Sequence, residues 1–429
     1  MRQLIKNGRV IDPANRLDKI CDILIEDDTI VKIGDNLSAE DAAVIDAAEK
    51  IVAPGFIDMH VHLREPGQEA KEDFASGSRA AAAGGYTTVA AMPNTSPVVD
   101  NAALVRSLQK RAADVSLVHI EIIGALTKGQ CGEELAELGD MVEAGAVAFS
   151  DDGHYVERAK VLLSGLDYLR AFEKIIINHD EDTSLVEEGC MNEGRRSAML
   201  GVKGRPTVAE DIAVDRDIRL AEYADARVHV AHISSARAVE IVRQAKKRGV
   251  RVSAEVTPHH LTLTEDCVDL SDSATKVNPP LRRQSDLDAM LEGLKDGTID
   301  AIVTDHSPHA EEEKDVEYCL APSGFPGLET AVGVLLTELY HSGKLDLNTL
   351  ISKLTAEPAR LLGLDVGTLA AGSRADIVIL DPEREWTVDE RAFYTRGTHS
   401  PFVGRRLKGR AVLTMVGGKV VMRDGKIIE

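Results

Sequence analysis

Hydrophobic and polar positions follow two different rhythms along this chain of 429 residues. Short β-branched segments fill the first fifty or so residues and the last seventy or so, and turn pairs such as Asn7-Gly8 and Gly417-Gly418 separate them. Because both ends share this pattern, we expect the two termini to pair. The pattern predicts one composite β-sandwich domain made of residues 1–53 and 366–429.

The middle of the chain alternates apolar strands with amphipathic stretches of helical period, such as 74–83 and 237–248. The eight predicted strands are 55–63, 87–93, 116–125, 145–152, 174–180, 227–234, 251–258 and 299–305. This alternation is typical of α/β folds with a parallel sheet, and eight strands over roughly 250 residues match a (β/α)8 TIM barrel. We assign it to residues 54–365. An open doubly wound sheet is the alternative, but no Gly-x-Gly-x-x-Gly follows any of these strands.

In such barrels the reactive side chains lie at the C-terminal ends of the strands. Seven of the eight predicted strands end in candidates: His60, His62 and Arg64; Asn94; Asp151 and Asp152; His179 and Asp180; His232; His259 and His260; and Asp305, His306 and His309. Nitrogen and oxygen ligands of this kind suit zinc, and four histidines with two aspartates exceed the needs of one tetrahedral ion. The pattern predicts a metal-dependent hydrolase with one or two ions.

Several other polar residues have structural explanations. His229 lies within a strand and is expected to support the core, and adjacent His259 and His260 should point to opposite faces of a strand. Asp151 is expected to be a helix cap or a surface group. Thr207 and Glu210 have the spacing of a capping box, and the acidic run 311–313 is typical of a solvated loop.

The composition restricts the classes of partner. The formal net charge of −21 argues against nucleic-acid binding, because phosphate contacts need clustered cations. An anionic substrate would need local positive charge from a metal or an arginine. We find neither a signal peptide nor a run long enough for a membrane span. The five cysteines lack CxxC spacing, so we expect reduced, mostly buried thiols in a cytoplasmic protein.

Five motifs together resemble those of the dihydroorotases, in the branch of the amidohydrolase superfamily that uses an aspartate where relatives use a carboxylated lysine. The motifs are PGFIDMHVHLREPG at 54–67, MPNT at 92–95, FSDDG at 149–153, KVNPPLR at 276–282 and TDHSPH at 304–309. The His-x-His pair and the late aspartate mark only the superfamily. The combination of all five is far more specific, and the resemblance extends from end to end of the chain.

The resemblance implies a set of site residues. It implies zinc ligands at His60, His62, Asp152, His179, His232 and Asp305, with Asp152 as the bridging carboxylate. It implies substrate contacts from His62, Arg64, Asn94, Asn278 and His309, chiefly to a carboxylate, and from the backbone of Ser323 and Gly324 to the pyrimidine ring. Ser323 departs from the larger apolar residue found there in many relatives.

The implied reaction is the reversible cyclisation of N-carbamoyl-L-aspartate to L-dihydroorotate, a step of de novo pyrimidine (UMP) biosynthesis. Zinc lowers the pKa of a bound water to about 7, so hydroxide is available to attack the cyclic amide. Asp305 would take the proton of the hydroxide and pass it to the departing ring nitrogen. Arg64 would offer its two-pronged guanidinium to the substrate carboxylate.

Two alternatives remain open at this stage. Hydantoinases, dihydropyrimidinases and allantoinases are associated with a carboxylated lysine at the end of the fourth strand, where the stretch from Val147 to Gly153 has no lysine. A non-catalytic relative that scaffolds aspartate transcarbamoylase would have lost ligands, whereas this chain keeps all of them. Active members of this branch also associate with that enzyme, so such a complex, and a homo-oligomer, are expected partners besides the small-molecule substrate.

Overall fold

The computed structural model describes residues 1–428. Its strands are β1 (Arg2–Asp12), β2 (Leu17–Glu26), β3 (Thr29–Gly34), β4 (Ala43–Asp46), β5 (Ile51–Pro54), β6 (Phe56–Val61), β7 (Tyr86–Ala91), β8 (His119–Gly124), β9 (Ala148–Ser150), β10 (Ile176–Asn178), β11 (Met191–Asn192), β12 (Gly204–Arg205), β13 (Val228–Val230), β14 (Val252–Val256), β15 (Ala301–Ile302), β16 (Ile377–Thr387), β17 (Arg406–Val416), β18 (Lys419–Arg423) and β19 (Lys426–Ile427). Its helices are α1 (Phe74–Gly84), α2 (Ala102–Val115), α3 (Leu138–Glu143), α4 (Ala159–Arg170), α5 (Thr183–Val186), α6 (Arg195–Leu200), α7 (Val208–Ala224), α8 (Ala236–Lys247), α9 (Pro258–Thr262), α10 (Gln284–Asp296), α11 (Glu311–Lys314), α12 (Ala331–Leu335), α13 (Leu347–Leu354) and α14 (Ala356–Leu362).

Eight of the strands in residues 1–428 form a parallel sheet in the order β15-β14-β13-β10-β9-β8-β7-β6. The two ends of this sheet meet, because Val61 pairs in parallel with His306 and the backbone N–H of His62 donates to the carbonyl of His306 at 2.8 Å. Each strand overlaps one of the eight predicted segments. The predicted (β/α)8 barrel is therefore confirmed, and it brings the C-terminal strand ends to one mouth.

Helix α1 shows how the sequence builds the outer layer. Asp73 is its N-cap and accepts the backbone N–H of Ser76 at 2.7 Å, and Gly85 ends it at φ 93°. The alanines at 80–82 are fully buried and share one hydrophobic cluster with Val89 of the neighbouring strand β7. Small side chains therefore let the helix approach the barrel closely.

The two chain termini form a second sheet, as predicted. Within residues 1–428 its order is β19-β18-β17-β16-β5-β1-β2-β3, with β4 paired to β1. The link between the termini is the antiparallel pairing of β16 with β5, in which Ile377 faces Pro54. Its core includes Ile5, Ile23 and Met415, all fully buried. The alternating patterns at the two ends of the sequence thus belong to strands that share one hydrophobic core.

No helix in residues 1–428 is long and apolar enough to cross a lipid bilayer.

The expectation of reduced, mostly buried cysteines is wrong in two respects. Cys190 and Cys319, 129 residues apart, form a disulfide with a Cα–Cα distance of 5.1 Å. Cys131 and Cys267 are exposed, and Cys21 is buried. The pairing depends on a tertiary approach of two distant loops, and cysteine spacing in the sequence carries no trace of it.

The expected capping box at Thr207 and Glu210 is also wrong. Thr207 has helical backbone angles (φ −58°), and its side chain caps no N–H among residues 1–428. Glu210 is 3% exposed and instead accepts the backbone N–H groups of Ser234 and Ser235 at 2.8 and 3.1 Å, beside the guanidinium of Arg282 at 3.1 Å. The carboxylate of Glu210 therefore binds the buried arginine and the loop after β13. It stabilises a tertiary contact and does not cap its own helix.

Candidate active site

A cavity of about 210 Å³ opens at the C-terminal mouth of the barrel. Its lining residues are His62, Arg64, Asn94, Asp152, Gly153, His179, His232, Asn278, Asp305, Ser307, His309, Ser323 and Gly324. Every site residue that the family resemblance implies lines it except His60, which is fully buried. The structure therefore brings these residues together from strand ends and loops spread over 265 positions of the chain, from His60 to Gly324.

One carboxylate faces all four imidazoles. Oδ1 of Asp152 lies 3.5 Å from Nε2 of His60, 3.7 Å from Nδ1 of His179 and 3.5 Å from Nε2 of His232. Its Oδ2 lies 3.3 Å from Nε2 of His62. Asp152 lies two residues after the end of the short strand β9, and this position places it between the histidine pairs.

Asp305, after β15, approaches the first histidine pair from the other side. Its Oδ1 lies 3.2 Å from Nε2 of His62 and 3.7 Å from Nε2 of His60. Across the site, Nδ1 of His179 is 3.0 Å from Nε2 of His232. The six side chains thus form one continuous cluster of nitrogen and oxygen atoms.

This cluster fits a metal ion. Nε2 of His60 and Oδ1 of Asp152 are buried and have no hydrogen-bond partner among residues 1–428, although buried polar atoms are normally paired. Two groups have ligand atoms within 4.8 Å of one another: His60 with Asp152 and His232, and His60 with His62 and Asp305. Imidazole and carboxylate donors are the ligands that zinc and similar divalent ions prefer.

The charges of the cluster reinforce one another. Burial alone would raise the pKa of Asp152, but the charge of His60 and the nearby imidazoles of His179 and His232 outweigh it and hold that pKa well below its usual range. Burial likewise opposes protonation of His179, whereas Asp152 and Glu181 raise its pKa to about 10. The protein therefore keeps the central carboxylate ionised among the imidazoles.

Two residues orient the first histidine pair. Oδ1 of Asn94 accepts Nδ1–H of His62 at 2.9 Å, which leaves Nε2 of His62 facing the two aspartates. Oε1 of Glu255 lies 2.6 Å from Nδ1 of His60 and leaves Nε2 of that ring facing Asp152. Glu255 is not among the residues predicted from the sequence. Its charge inside the fully buried strand β14 is the signal that points to it.

Three non-glycine residues of the site have backbone angles in the left-handed region. Arg64 has φ 61°, His232 has φ 29° and Asp305 has φ 48°. Such angles cost non-glycine residues about 1–3 kcal/mol each and are found where surrounding structure enforces them. All three stand just after a barrel strand, so the chain turns sharply where it presents these side chains.

Arg64 is a fixed cation in the cavity wall. It is 7% exposed, and it donates from Nη2 to Oγ of Ser307 at 2.8 Å and from Nε to the carbonyl of Pro308 at 3.2 Å. Burial lowers its pKa to about 10, partly offset by the charge of Asp305. The guanidinium is therefore protonated at neutral pH and supplies the positive charge that the acidic chain otherwise lacks here.

His309 sits beside this guanidinium as a neutral imidazole. Its Nε2 donates to the carbonyl of Ser323 at 2.9 Å, and its Nδ1 is buried with no hydrogen-bond partner in residues 1–428. Burial and the charge of Arg64 lower its pKa to about 3. His309 therefore presents an unprotonated Nδ1, a hydrogen-bond acceptor.

Lys314 secures the segment that carries Ser323 and Gly324. Its buried Nζ donates to the carbonyls of Pro322 and Gly324, each at 3.0 Å. Gly324 has φ 113°, and a Cβ there would lie 2.6 Å from the side chain of Ser307. The backbone of this segment therefore approaches the wall that contains Arg64 as closely as only glycine allows.

Asn278 closes the opposite wall. Its Nδ2 lies 3.0 Å from Nε2 of His179 and donates to Oε2 of Glu181 at 3.0 Å. Its Oδ1 accepts from Nη1 of Arg205 at 2.7 Å. Glu181 and Arg205 are not among the residues predicted from the sequence, because they belong to no motif and meet Asn278 only through the fold.

Two expectations about neighbouring polar residues are wrong. His259 and His260 lie in helix α9, not on opposite faces of a strand, because Thr257 caps and Pro258 begins a helix directly after β14. Asp151 is 2% exposed and is neither a helix cap nor a surface group. It accepts the backbone N–H groups of Leu126 and Thr127 at 2.9 and 3.0 Å and anchors the loop after β8.

Comparisons with known proteins agree with this site. The profile of a family described as Dihydro-orotase-like matches residues 49–238, and that of the Amidohydrolase family, whose members are metal-dependent, matches residues 322–422. Among solved structures, the chain is similar to an L-hydantoinase (dihydropyrimidinase) from Arthrobacter aurescens, with TM-score 0.90, 28% identity, and coverage of 100% of this chain and 98% of that one. The chain is also similar to a dihydropyrimidinase from Brevibacillus agri, with TM-score 0.87 and 25% identity. That alignment covers 100% of this chain and 96% of the Brevibacillus chain.

The relatives that are most similar in sequence among those compared are dihydroorotases, not hydantoinases or dihydropyrimidinases. A dihydroorotase from Pelotomaculum thermopropionicum is 53% identical over 424 residues and covers 99% of both chains. A dihydroorotase from Syntrophotalea carbinolica is 51% identical over 423 residues, again covering 99% of both. Identity of this level over the whole length, together with the metal-compatible cluster at the barrel mouth, shows that the chain belongs to the dihydroorotase family of amidohydrolases.

Proposed function

We propose that this protein catalyses the reversible cyclisation of N-carbamoyl-L-aspartate to L-dihydroorotate. The observation that carries the proposal is a cavity lined both by a buried guanidinium and by a metal-compatible cluster. Both forms of the substrate carry a carboxylate near the amide that is made or broken. A cavity with a cation at one wall and metal ligands at its floor matches that pairing of groups.

His60, His62, Asp152, His179, His232 and Asp305 would hold the metal, with Asp152 shared between two ions. We propose zinc, one or two ions per subunit, because the donors are imidazole and carboxylate. When bound, zinc supplies Lewis-acid polarisation of the amide carbonyl and makes water more acidic. The position of Asp152 among all four imidazoles supports the bridging role.

Asp305 is the proposed proton carrier. In the hydrolytic direction it accepts a proton from the attacking water as the new carbon–oxygen bond forms. It then delivers this proton to the ring nitrogen as the carbon–nitrogen bond breaks. Its carboxylate lies at the cavity surface beside His62, and the pKa of Asp305 is lowered because His62 and His60 outweigh the effect of burial.

Arg64, Asn94, Asn278 and His309 are proposed to bind the substrate, chiefly its carboxylate, and His62 is proposed to contact it as well. Arg64 offers a two-pronged, charge-assisted contact. Ser323 and Gly324 would contact the ring through their backbone, which tolerates the small side chain at Ser323. All of these residues line the cavity.

A hydantoinase-type activity is the second candidate, because the structural similarity to the Arthrobacter enzyme reaches TM-score 0.90. Two features of this chain speak against it. Asp152 stands where a carboxylated lysine is associated with those enzymes, and Arg64 provides a cation for which an uncharged hydantoin ring has no partner. Dihydroorotase activity accounts for both residues.

A complex with aspartate transcarbamoylase, a homo-oligomer and a cytoplasmic location remain proposals from the family resemblance and the sequence. The same holds for the division into residues 1–53 with 366–429 and residues 54–365, which the pairing of β16 with β5 supports. None of these bears on the chemistry of the cavity.

The deciding experiment compares metal-stripped and zinc-reloaded protein on four substrates: L-dihydroorotate, hydantoin, dihydrouracil and allantoin. We expect zinc-dependent turnover with kcat/KM about 10- to 100-fold higher for dihydroorotate than for the three other substrates. This factor corresponds to the contribution of one charge-assisted contact. Faster turnover of an uncharged ring, or equal turnover without metal, would overturn the proposal. Asp305→Asn should lower kcat about 10²- to 10⁴-fold, and near-normal turnover by a zinc-loaded variant would reject the proton-carrier role.

A further inference from the structure

We propose that Glu255 is a positioning residue: its carboxylate fixes the tautomer and the ring orientation of His60, so that Nε2 of His60 is ready to bind metal. This inference rests on the proposed function, since it assumes that the cluster holds a metal ion. It concerns a residue of β14 that lies outside the cavity lining and outside the five motifs.

Glu255 receives N–H groups from two strands. Its Oε1 is 2.6 Å from Nδ1 of His60 on β6 and accepts the backbone N–H of His232, just after β13, at 3.3 Å. Its Oε2 is 3.0 Å from Nε2 of His229 on β13. Glu255, His60 and His229 are all fully buried. One side chain therefore connects the strands that carry two of the proposed ligands.

These contacts decide where the imidazole protons lie. A carboxylate only accepts hydrogen bonds, so the ring proton of His60 is on Nδ1 and that of His229 is on Nε2. The lone pair of His60 is then on Nε2, the atom that points at Asp152 and lacks a hydrogen-bond partner in residues 1–428. A neutral imidazole with this tautomer is the form that binds a metal.

The position of Glu255 is itself fixed by hydrogen bonds through His229 and Ser253. With its proton on Nε2, His229 has a lone pair on Nδ1, and this accepts the hydroxyl of Ser253 at 2.7 Å. The chain from Ser253 through His229 and Glu255 to His60 runs through the barrel interior. Because its acceptors and donors are all matched, the carboxylate has one arrangement available to it.

The test measures zinc affinity by competition with a chromophoric chelator and histidine tautomers by NMR of protein labelled with ¹⁵N in its imidazoles. E255M keeps the approximate length of the side chain and removes both acceptors. We expect its zinc affinity to fall about 10- to 100-fold, with loss of the fixed Nδ1–H of His60. The same substitution at Glu329, which accepts the N–H groups of Tyr394 and Thr395 outside the cavity, should leave zinc affinity unchanged.

E255Q gives a second readout that also serves if E255M does not fold. An amide offers one acceptor and one donor, so one of the two imidazoles must reverse its tautomer. If His229 reverses, its Nδ1–H donates to Oγ of Ser253, and zinc affinity stays near that of the wild type. If His60 reverses, zinc affinity falls. An E255Q protein in which neither ring reverses, or in which zinc affinity does not follow the tautomer of His60, would overturn the inference.

The wild-type protein separates the two proposals. Failure of the wild type to bind zinc and to hydrolyse dihydroorotate would refute the proposed function. A wild type that does both, beside an E255M protein with the same zinc affinity, would refute only the role of Glu255.

Discussion

Nε2 of His60 and Oδ1 of Asp152 face each other across 3.5 Å, and neither atom has a hydrogen-bond partner among residues 1–428. A buried donor or acceptor without a partner ordinarily costs about 1–3 kcal/mol. The two atoms lie where four imidazoles and two carboxylates converge. A bound cation would satisfy both at once, so metal occupancy should govern both activity and stability.

Asp152→Asn tests this relationship, because it keeps the size of the side chain and removes its charge. We expect loss of bound zinc and a fall in turnover of two orders of magnitude or more. The reason is that a bound metal stabilises the charge of the transition state by several kcal/mol. Elemental analysis and dihydroorotate hydrolysis provide the measurements. Asp151→Asn is the matched control: it weakens the anchor at Leu126 and Thr127 and should retain zinc. Full zinc content in Asp152→Asn would contradict the prediction.

Arg64→Met tests whether Arg64 binds the carboxylate of the substrate. Removing a charge-assisted contact worth about 1.5–3 kcal/mol should raise KM for dihydroorotate about 10- to 100-fold. Dihydrouracil, which lacks the carboxylate, should be turned over no more slowly than by the wild type. Steady-state kinetics on both substrates measure the difference.

Arg111→Met is the control for Arg64→Met, since Arg111 pairs with Glu65 at the surface next to the same strand end. It should leave both KM values unchanged. An equal loss on both substrates in Arg64→Met would mean that the arginine supports the fold of the cavity and does not select the substrate.

The sequence was sufficient for the barrel and for the cluster because both depend on local patterns. Alternating apolar strands and helical stretches predict βα units, and parallel strands bring their C-terminal ends to one mouth. The strand-end positions of His60, Asp152 and Asp305 therefore suffice to predict that the three side chains lie together. The composite sheet followed in the same way from matching patterns at the two ends.

The remaining features depend on contacts between distant parts of the chain. Glu210 has the spacing of a capping box, but the fold brings Arg282 to it. Asp151 has a helix-capping position in sequence and instead anchors a loop 25 residues earlier. Glu255 appears as one charge within a buried strand, and its partner His60 is 195 positions away. Such partners follow from strand order and register, which side-chain pattern alone does not specify.

The disulfide between Cys190 and Cys319 gives a prediction that the cysteine pattern did not. Three of the five cysteines, Cys21, Cys131 and Cys267, carry free thiols. Unfolded protein kept away from reductant should therefore react with three equivalents of a thiol reagent, and with five after reduction. Cys190→Ser should leave four free thiols before and after reduction. A count of five without reduction would show that the chain is fully reduced, as first expected.

Glu329 gives stability a pH dependence that is separate from the metal cluster. Burial raises the pKa of Glu329 to about 7, although backbone N–H groups of Tyr394 and Thr395 favour its ionised form. The unfolded chain has the ordinary carboxyl pKa near 4.5. The folded state thus binds the proton more tightly, so this group's contribution to stability is present below about pH 4.5 and is lost as the pH rises through about 7.

Glu329→Gln removes this titration and keeps an acceptor for the two N–H groups. At pH 5 the variant and the wild type should have nearly equal free energies of unfolding. At pH 8 the variant should be more stable by about 2 kcal/mol, a value reduced from the full pKa difference because the residue is partly exposed. Urea unfolding of both proteins at the two pH values measures the change in their difference. A difference that does not grow from pH 5 to pH 8 would show that Glu329 titrates alike in the folded and unfolded states.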